Sequence, residues 1–459
     1  MKNVFQFIES NRERFIQELC DFVRIPSVSA DPAHQPDIRR AAEWCATKLR
    51  AIGFERVAVE ATRKNPVVTG EWLHAGKEKP IILWYGHYDV QPEVPVEKWT
   101  SPPFKPVIRN GAIYGRGADD NKGQLITHLM AFEAFFATHK KLPVNVKVFI
   151  EGEEEVGGEG SEEFVRKNAS RLACNAVAIS DTAWARDDMP SICHALRGLC
   201  YLDVRVKGPC RDLHSGAYGG RVRNPLNAMA AMIATLQDDN GRILIPGYYD
   251  DVVPLTAAEK RDFAAAGESD EALKKALNVS ALWGEEGYTA TERNWARPSM
   301  DVNGIWGGYA GKGAKTVIAA EGGFKISSRL VANQHPERCA GMILQFLRQH
   351  ASPGVTIEAE IIQGAKPMMV PVDHPYLQAA CAAFERSYGR RALLVRDGAT
   401  IPITATFLEA LNAPSILAGH GRHGDAAHSP DEHFSLECLF GGAKTNVALY
   451  EEFANISQP

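Results

Sequence analysis

Apolar positions recur along the chain with two periods, and their alternation predicts the fold. Phe15, Leu19 and Phe22 fall at helical spacing and mark an amphipathic helix near the start. A second helix is expected over 37–52, with Ala41, Trp44, Cys45, Leu49 and Ile52 on one side. Strands are expected at 57–60, 67–70 and 81–84, the last a continuous apolar run that suits a strand covered on both faces. A helix carrying Leu125, Leu129, Phe132 and Phe136 comes next. It leads to a strand in which Val144, Val146, Val148 and Ile150 alternate with Asn145, Lys147 and Phe149. That strand ends abruptly in Glu151, Glu153, Glu154 and Glu155. A helix over 161–169 and a short strand over 176–180 follow. Strands alternating with helices predict an α/β fold: a mainly parallel sheet with helices on both faces.

After Pro190 the rhythm changes. Leu202, Val204 and Val206 alternate with Tyr201, Asp203 and Arg205, as in a half-exposed antiparallel strand. Asn224-Pro225 starts a helix with Leu226, Met229, Ile233 and Leu236 on its apolar side. Thr256-Ala-Ala-Glu259 has the form of a capping box. The stretch 237–315 is otherwise rich in glycine and tryptophan and weakly patterned. Strands return at 316–320 and 324–331, then a helix at 337–350 and a strand at 355–362, the pattern of a small α+β domain with one open sheet. From His374 the first rhythm resumes, with helices at 375–387 and 401–411, a strand at 414–418 and a closing helix. The reading is an α/β domain of residues 1–197 and 373–459, interrupted by an inserted domain of residues 198–372.

Composition narrows the class. At 459 residues the chain exceeds one ordinary core. Hydrophobic residues at 45% and charged at 23% are those of a soluble globular protein. A formal net charge of −5 argues against a general nucleic-acid binder, which needs a basic face. No apolar run approaches the roughly 20 residues that cross a bilayer, so no membrane partner is expected. The first residues carry charges throughout and are not read as a signal peptide. Nine scattered cysteines, without a Cys-x-x-Cys pair, fit buried thiols in a reducing cytoplasm; Cys200 and Cys210 are read that way. Trp283, Trp295 and Trp306 are read as core or dimer contacts.

The chemistry lies where strands end. His87 and Asp89, Asp120, Glu154 and Glu155, Asp181, and His428 all fall just past strands or in the adjoining loops. Ligands of open α/β sheets bind beyond the carboxyl ends of the strands. One polar strand end means little, but several carrying only His, Asp and Glu signal a metal site. The charge balance favours two divalent ions: Asp120, Glu155, Asp181 and one hydroxide offset them, and neutral His87 and His428 complete the shells. Such a pair, bridged by hydroxide, supplies a nucleophile at neutral pH and polarises a carbonyl. Glu154, left free, can take the water's proton and pass it to a leaving amine. Asp119, Glu151 and Glu153 are read as surface or supporting groups.

These residues carry a resemblance. His87-x-Asp89, Gly115-Arg-Gly-Ala-Asp-Asp120-Asn-Lys-Gly123, Glu151-Gly-Glu-Glu154-Glu155, Ser180-Asp181 and Ala427-His428-Ser429 resemble the signature segments of the dinuclear metallopeptidase family. That family includes carboxypeptidase G, succinyl-diaminopimelate desuccinylase, aminoacylase and the carnosine and cytosolic non-specific dipeptidases. The resemblance implies that Asp120 bridges the metals, that His87 and Asp181 hold one ion, and that Glu155 and His428 hold the other. It makes Glu154 the general base and Asp89 the group that orients His87. The ions it implies are two Zn2+, with Mn2+ or Co2+ as alternatives.

The segments 196–201, 212–220, 313–318 and 328–331 look closest to the dipeptidase branch. That likeness implies a homodimer through the inserted domain, with His214 stabilising the oxyanion in the partner's site. Arg329 and Thr316 would hold the substrate's free carboxylate. Asp397-Gly398-Ala399-Thr400 departs from the branch's Glu-Gly-Gly-Ser, with Thr400 keeping a hydroxyl. The expected function is a cytoplasmic metal-dependent dipeptidase acting on small peptides with a free C-terminus. The alternative is an N-acyl-amino-acid deacylase using the same metals.

Overall fold

The computed structural model describes residues 1–457. The chain forms two compact units. One comprises Met1–His194, Val370–Val395 and Ile401–Pro459; the other comprises Ala195–Met369 with Arg396–Thr400. The short return of 396–400 to the second unit was not legible in the sequence. Its physical cause is the buried ion pair of Arg396 with Glu259, a residue of the second unit.

In the first unit the main sheet runs Glu55–Glu60, Val67–Trp72, Asn145–Glu151, Ile81–His87, Ala176–Ile179, Ser415–Leu417 and Ser191–Leu196 in spatial order. Parallel pairing joins its four central strands, from Asn145–Glu151 to Ser415–Leu417. The strands outside them pair antiparallel. Central strands must bury both faces, and Ile82 to Tyr85, Val146, Val148 to Ile150 and Val177 to Ile179 are all without solvent exposure. Helix Lys122–His139 is buried on most of its circumference, with Gln124, Thr127 and His128 as inaccessible as Leu125 and Phe132. A helix enclosed on all sides loses the one-sided pattern expected of a surface helix.

The second unit holds an antiparallel sheet ordered Ser299–Gly307, Glu321–Leu330, Gly198–Lys207 and Thr356–Ala365. Leu202, Val204, Phe324, Ile326 and Leu330 fill one face. They share a core with Met229 and Met232 of helix Pro225–Ala234 and with Ile343 and Leu347 of helix Pro336–His350. The stretch 237–315 contains helices Ala257–Ala266, Asp270–Leu277 and Ala290–Ala296. The first starts at the Thr256/Glu259 capping box; Thr289/Glu292 forms another at the start of the third.

One side-chain expectation changes, and another narrows to its second alternative, a dimer contact. Cys210 is exposed rather than buried. Trp283 and Trp306 lie 60% and 40% exposed, so neither is core, while Trp295 packs edge-on against Phe263. No helix among the described residues is long and apolar enough to cross a membrane.

Phe324 has no solvent exposure at the centre of the second unit's core. Replacing it with alanine should cost about 3–5 kcal/mol, read as a lower denaturant midpoint; an unchanged midpoint would contradict this packing.

Candidate metal centre

Parallel strands end at one edge, and the register brings the acids level there. His87 lies opposite Glu151, and Tyr85 opposite Ile179. The residues just after Ile179 and Glu151 therefore flank His87. Helix Lys122–His139 begins two residues after Asp120, with Asn121 at its N-cap, and the loop before His433–Ser435 carries His428.

Asp120 is the shared group. Its Oδ1 lies 3.2 Å from His87 Nε2, and its Oδ2 lies 2.9 Å from His428 Nε2. Asp181 Oδ2 is 3.5 Å from His87 Nε2, and Glu155 Oε2 is 3.2 Å from His428 Nε2. The result is two ligand groups, His87 with Asp120 and Asp181, and Asp120 with Glu155 and His428, whose donor atoms lie within 4.8 Å of one another. His87 Nε2 and Glu155 Oε1 are buried and make no hydrogen bond. Buried polar atoms are otherwise almost always partnered, so a cation fits this arrangement. Imidazole nitrogen and carboxylate oxygen, without sulfur, suit a first-row divalent ion. His428 holds a left-handed backbone, φ 61°, a conformation that costs a non-glycine about 1–3 kcal/mol and persists at functional sites.

Hydrogen bonds fix the loops that carry these groups. Asp89, fully buried, accepts from the backbone N–H of Glu154 at 3.3 Å and of Glu155 at 3.2 Å. Its own carbonyl lies 3.1 Å from His87 Nδ1 and its carboxylate 3.4 Å away, which orients the ring. Asn121 donates to Ser180 O at 2.7 Å and Asp181 Oδ1 at 2.6 Å, and accepts from His87 N at 3.4 Å. Gln91 donates to Glu155 Oε2 at 2.8 Å.

Glu432 cradles the Asp120 turn. Its carboxylate accepts from the N–H groups of Gly117, Asp119 and Asp120 and pairs with buried Arg116 at 2.6 Å. Among these, Asn121 sits inside a quoted motif and could have been found; nothing in the sequence singled out Glu432 or Gln91. Asp119, Glu151 and Glu153 are buried, not surface, groups. Asp119 accepts from Gln124 at 3.2 Å, Glu151 from Tyr85 at 2.7 Å, and Glu153 from Ser161 N.

The charges confirm a crowded anionic pocket. Burial opposes ionisation of Asp120, but the two imidazoles overcome it and hold its carboxyl below the usual range. Burial opposes a proton on His87, yet Asp181, Asp120 and Asp89 hold its pKa well above the imidazole norm. Hydrogen bonds that the His428 ring donates to Asp120 and Glu155 raise its pKa to about 10. Burial, with Asp181 and Glu155 nearby, raises Glu154 well above an ordinary carboxyl. A field that draws protons onto both imidazoles also attracts a divalent cation, and the two compete for the same nitrogens.

The remaining candidates belong to the second unit. His214 caps a short helix, and its Nδ1 accepts from Gly216 N at 3.0 Å. That bond leaves Nε2–H of the neutral ring as a donor. Thr316 is exposed beside the strand Val317–Ile318. Arg329 lies on the open face of the four-stranded sheet, opposite Ser299 and Leu199 in register. Thr400 donates its hydroxyl to Arg197 O at 2.6 Å.

Residues 83–452 match the sequence profile of peptidase family M20/M25/M40. The chain belongs to that family. It stands in the dipeptidase branch of these metal-dependent peptidases. The Cys-Gly metallodipeptidase dug1 of Schizosaccharomyces pombe is 33% identical, over 100% of this chain and 99% of its own length. The human Beta-Ala-His dipeptidase is 30% identical over 99% and 93%. The solved structure of the di-peptidase Dug1p from Saccharomyces cerevisiae has a TM-score of 0.78 at 30% identity, covering 100% of this chain and 99% of that one.

Glu432→Ala would leave Arg116 buried without its partner and free three N–H groups. A loss of about 3–5 kcal/mol is expected, together with metal lost on gel filtration; retention of both would remove Glu432 from its cradling role.

Proposed function

We propose that this M20 dipeptidase cleaves dipeptides and short peptides with a free C-terminal carboxylate at a site for two divalent ions, most simply zinc. The observation that carries this reading is the sharing of Asp120 between two three-residue ligand groups. His87 and Asp181 would hold one ion with it, and Glu155 and His428 the other. When bound, such ions make water a nucleophile at neutral pH and polarise the scissile carbonyl.

The chain's own groups do the rest. Glu154, spared from the ligand groups, takes the attacking water's proton and returns it to the leaving amine. Its raised proton affinity suits a group that must hold that proton between the two events. Asp89 keeps the His87 ring in place. Arg329 meets the substrate's α-carboxylate, a contact that guanidinium makes with two parallel hydrogen bonds, and Thr316 and Thr400 stand as its accompanying polar groups. His214, with Nε2–H available, would donate to the developing oxyanion of a neighbouring copy.

A homodimer through the second unit follows from that last role. Ile305 at 62% exposure and Trp306 at 40% sit on the edge strand Ser299–Gly307, a surface that an isolated chain would leave open. A cytoplasmic location accords with the free cysteines.

Two experiments test these roles. Glu154→Gln should keep fold and bound metal while lowering kcat by about 10²–10⁴-fold; near-normal turnover would end its assignment as base. Asp120→Ala should empty both ion positions by metal analysis, whereas Asp181→Ala should empty one. Equal metal content in the two variants would argue against a bridging Asp120. A parallel screen of dipeptides against acetylated amino acids, each with added zinc or manganese, separates the dipeptidase from a deacylase, which would turn over only the latter.

A further inference from the structure

The second unit encloses a cavity of about 300 Å3, separate from the ligand groups described above. Arg197, Trp283, Arg293, Asn294, Ser299 and Asp301 stand on its wall. Arg297, also there, is neutralised by Glu285 through two bonds of 2.7 and 2.8 Å. The other two guanidiniums have no such partner. Arg293 donates its Nε to Glu285 O at 2.9 Å. Arg197 donates to Asn294 Oδ1 at 2.8 Å and to Gly398 O at 3.4 Å, both uncharged acceptors. A guanidinium has five N–H donors, so most of Arg197's capacity is unspent.

Burial, and then the charge of Arg329, lower Arg197 to about 10, which places the two arginines within electrostatic reach of each other. Of the nearby acids, Asp397 accepts from Ala399 N within its own loop at 2.8 Å, and Asp301 is exposed to solvent. Both act on the charge of Arg197 from a distance, but among the described residues Arg197 has no carboxylate in direct contact, and its hydrogen bonds go to neutral oxygens.

The cavity and Arg329 share one face of the sheet. Ser299, on the wall, is Arg329's cross-strand neighbour, and Leu199, two residues after Arg197, is its neighbour on the other side. Paired residues project to the same face. Gly398 lets Arg197 lie where it does: a Cβ there would come within 2.8 Å of Arg197 Nη2 and 2.7 Å of Asn294 Oδ1. An α-carboxylate on Arg329 would leave the substrate's C-terminal side chain next to this second guanidinium.

We propose that the cavity is a subsite for an acidic side chain on the substrate's C-terminal residue, and that Arg197 pairs with its carboxylate. The inference rests on the reading that Arg329 holds the α-carboxylate. Isosteric substrates test it: alanyl-glutamate against alanyl-glutamine, with alanyl-leucine as reference.

The wild-type enzyme should show kcat/KM for alanyl-glutamate roughly tenfold above that for alanyl-glutamine, the worth of one charge-assisted pair. Arg197→Gln should abolish that ratio while leaving alanyl-glutamine nearly unchanged, and Arg197→Lys should restore part of it. Equal rates on the two substrates in the wild type, or an Arg197→Gln variant that slows both in proportion, would overturn the subsite. Failure to cleave alanyl-leucine as well would instead overturn the dipeptidase reading beneath it.

Discussion

Mutual repulsion among carboxylates is the constraint around which the first unit is built. Asp120, Glu154, Glu155 and Asp181 converge on one edge of the sheet, with Asp89, Asp119, Glu151 and Glu153 buried behind them. Two like charges 4 Å apart at a protein surface repel by about 4 kcal/mol, so this grouping would relax if its loops were free. They are not free. Asp89 ties the N–H groups of Glu154 and Glu155, and Glu432 ties those of Asp119 and Asp120. Acids themselves hold the acid-bearing turns, their charge met by backbone donors and by Arg116. The frame keeps the ligand groups ready for cations instead of letting them spread.

The second unit places arginines on one face of its sheet. Its open sheet face carries Arg329, and the cavity on that face adds Arg197 and Arg293. A dipeptide presents an amide to be cut and a carboxylate to be held, and these need different chemistry: polarisation of a carbonyl in one case, a planar pair of donors in the other. On the reading proposed above, acids of the first unit would serve the one and Arg329 of the second unit the other. The carboxylate-rich unit is rigid by hydrogen bonding to strand ends. The second unit uses neutral acceptors such as Asn294 and Gly398 O to place a guanidinium without an ion pair.

What the sequence disclosed follows the range of the forces involved. Strand ends and helix starts are local, and so the acids and histidines at the strand ends and the Thr256 capping box were legible from period and spacing, while the roles given to those acids came from the resemblance. Partners brought together by the fold were not. Glu432 acts on residues more than three hundred positions earlier, and no local pattern marks it. Asp119, Glu151 and Glu153 look like solvated charges in sequence, because burial of an acid is decided by what packs over it. Helix Lys122–His139 was recognised as a helix, but its enclosure on all sides appears only once the closing helix Leu436–Phe453 is placed. The parallel pairing expected for the sheet occupies its centre; the antiparallel flanks arise from strands whose alternation was too short to show direction.

The segment 396–400 is held in the second unit by one buried ion pair. Its neighbours in sequence, Leu394, Val395 and Ile401, are buried residues of the first unit, yet the segment packs with the second. Arg396 secures it through Glu259, the residue that also closes the cap of helix Ala257–Ala266. One carboxylate thus holds a helix start and a loop at once. A buried pair of this kind is costly to break by removing one partner, so the anchor constrains Arg396 and Glu259 strongly. Asp397, Gly398 and Ala399 beyond it carry no such load: Ala399 is exposed, and Asp397 bonds within its own turn. Variation there would alter what lies beside Arg197, whose Nε donates to Gly398 O and whose backbone N–H donates to Asp397 O, while the Arg396–Glu259 anchor stays in place.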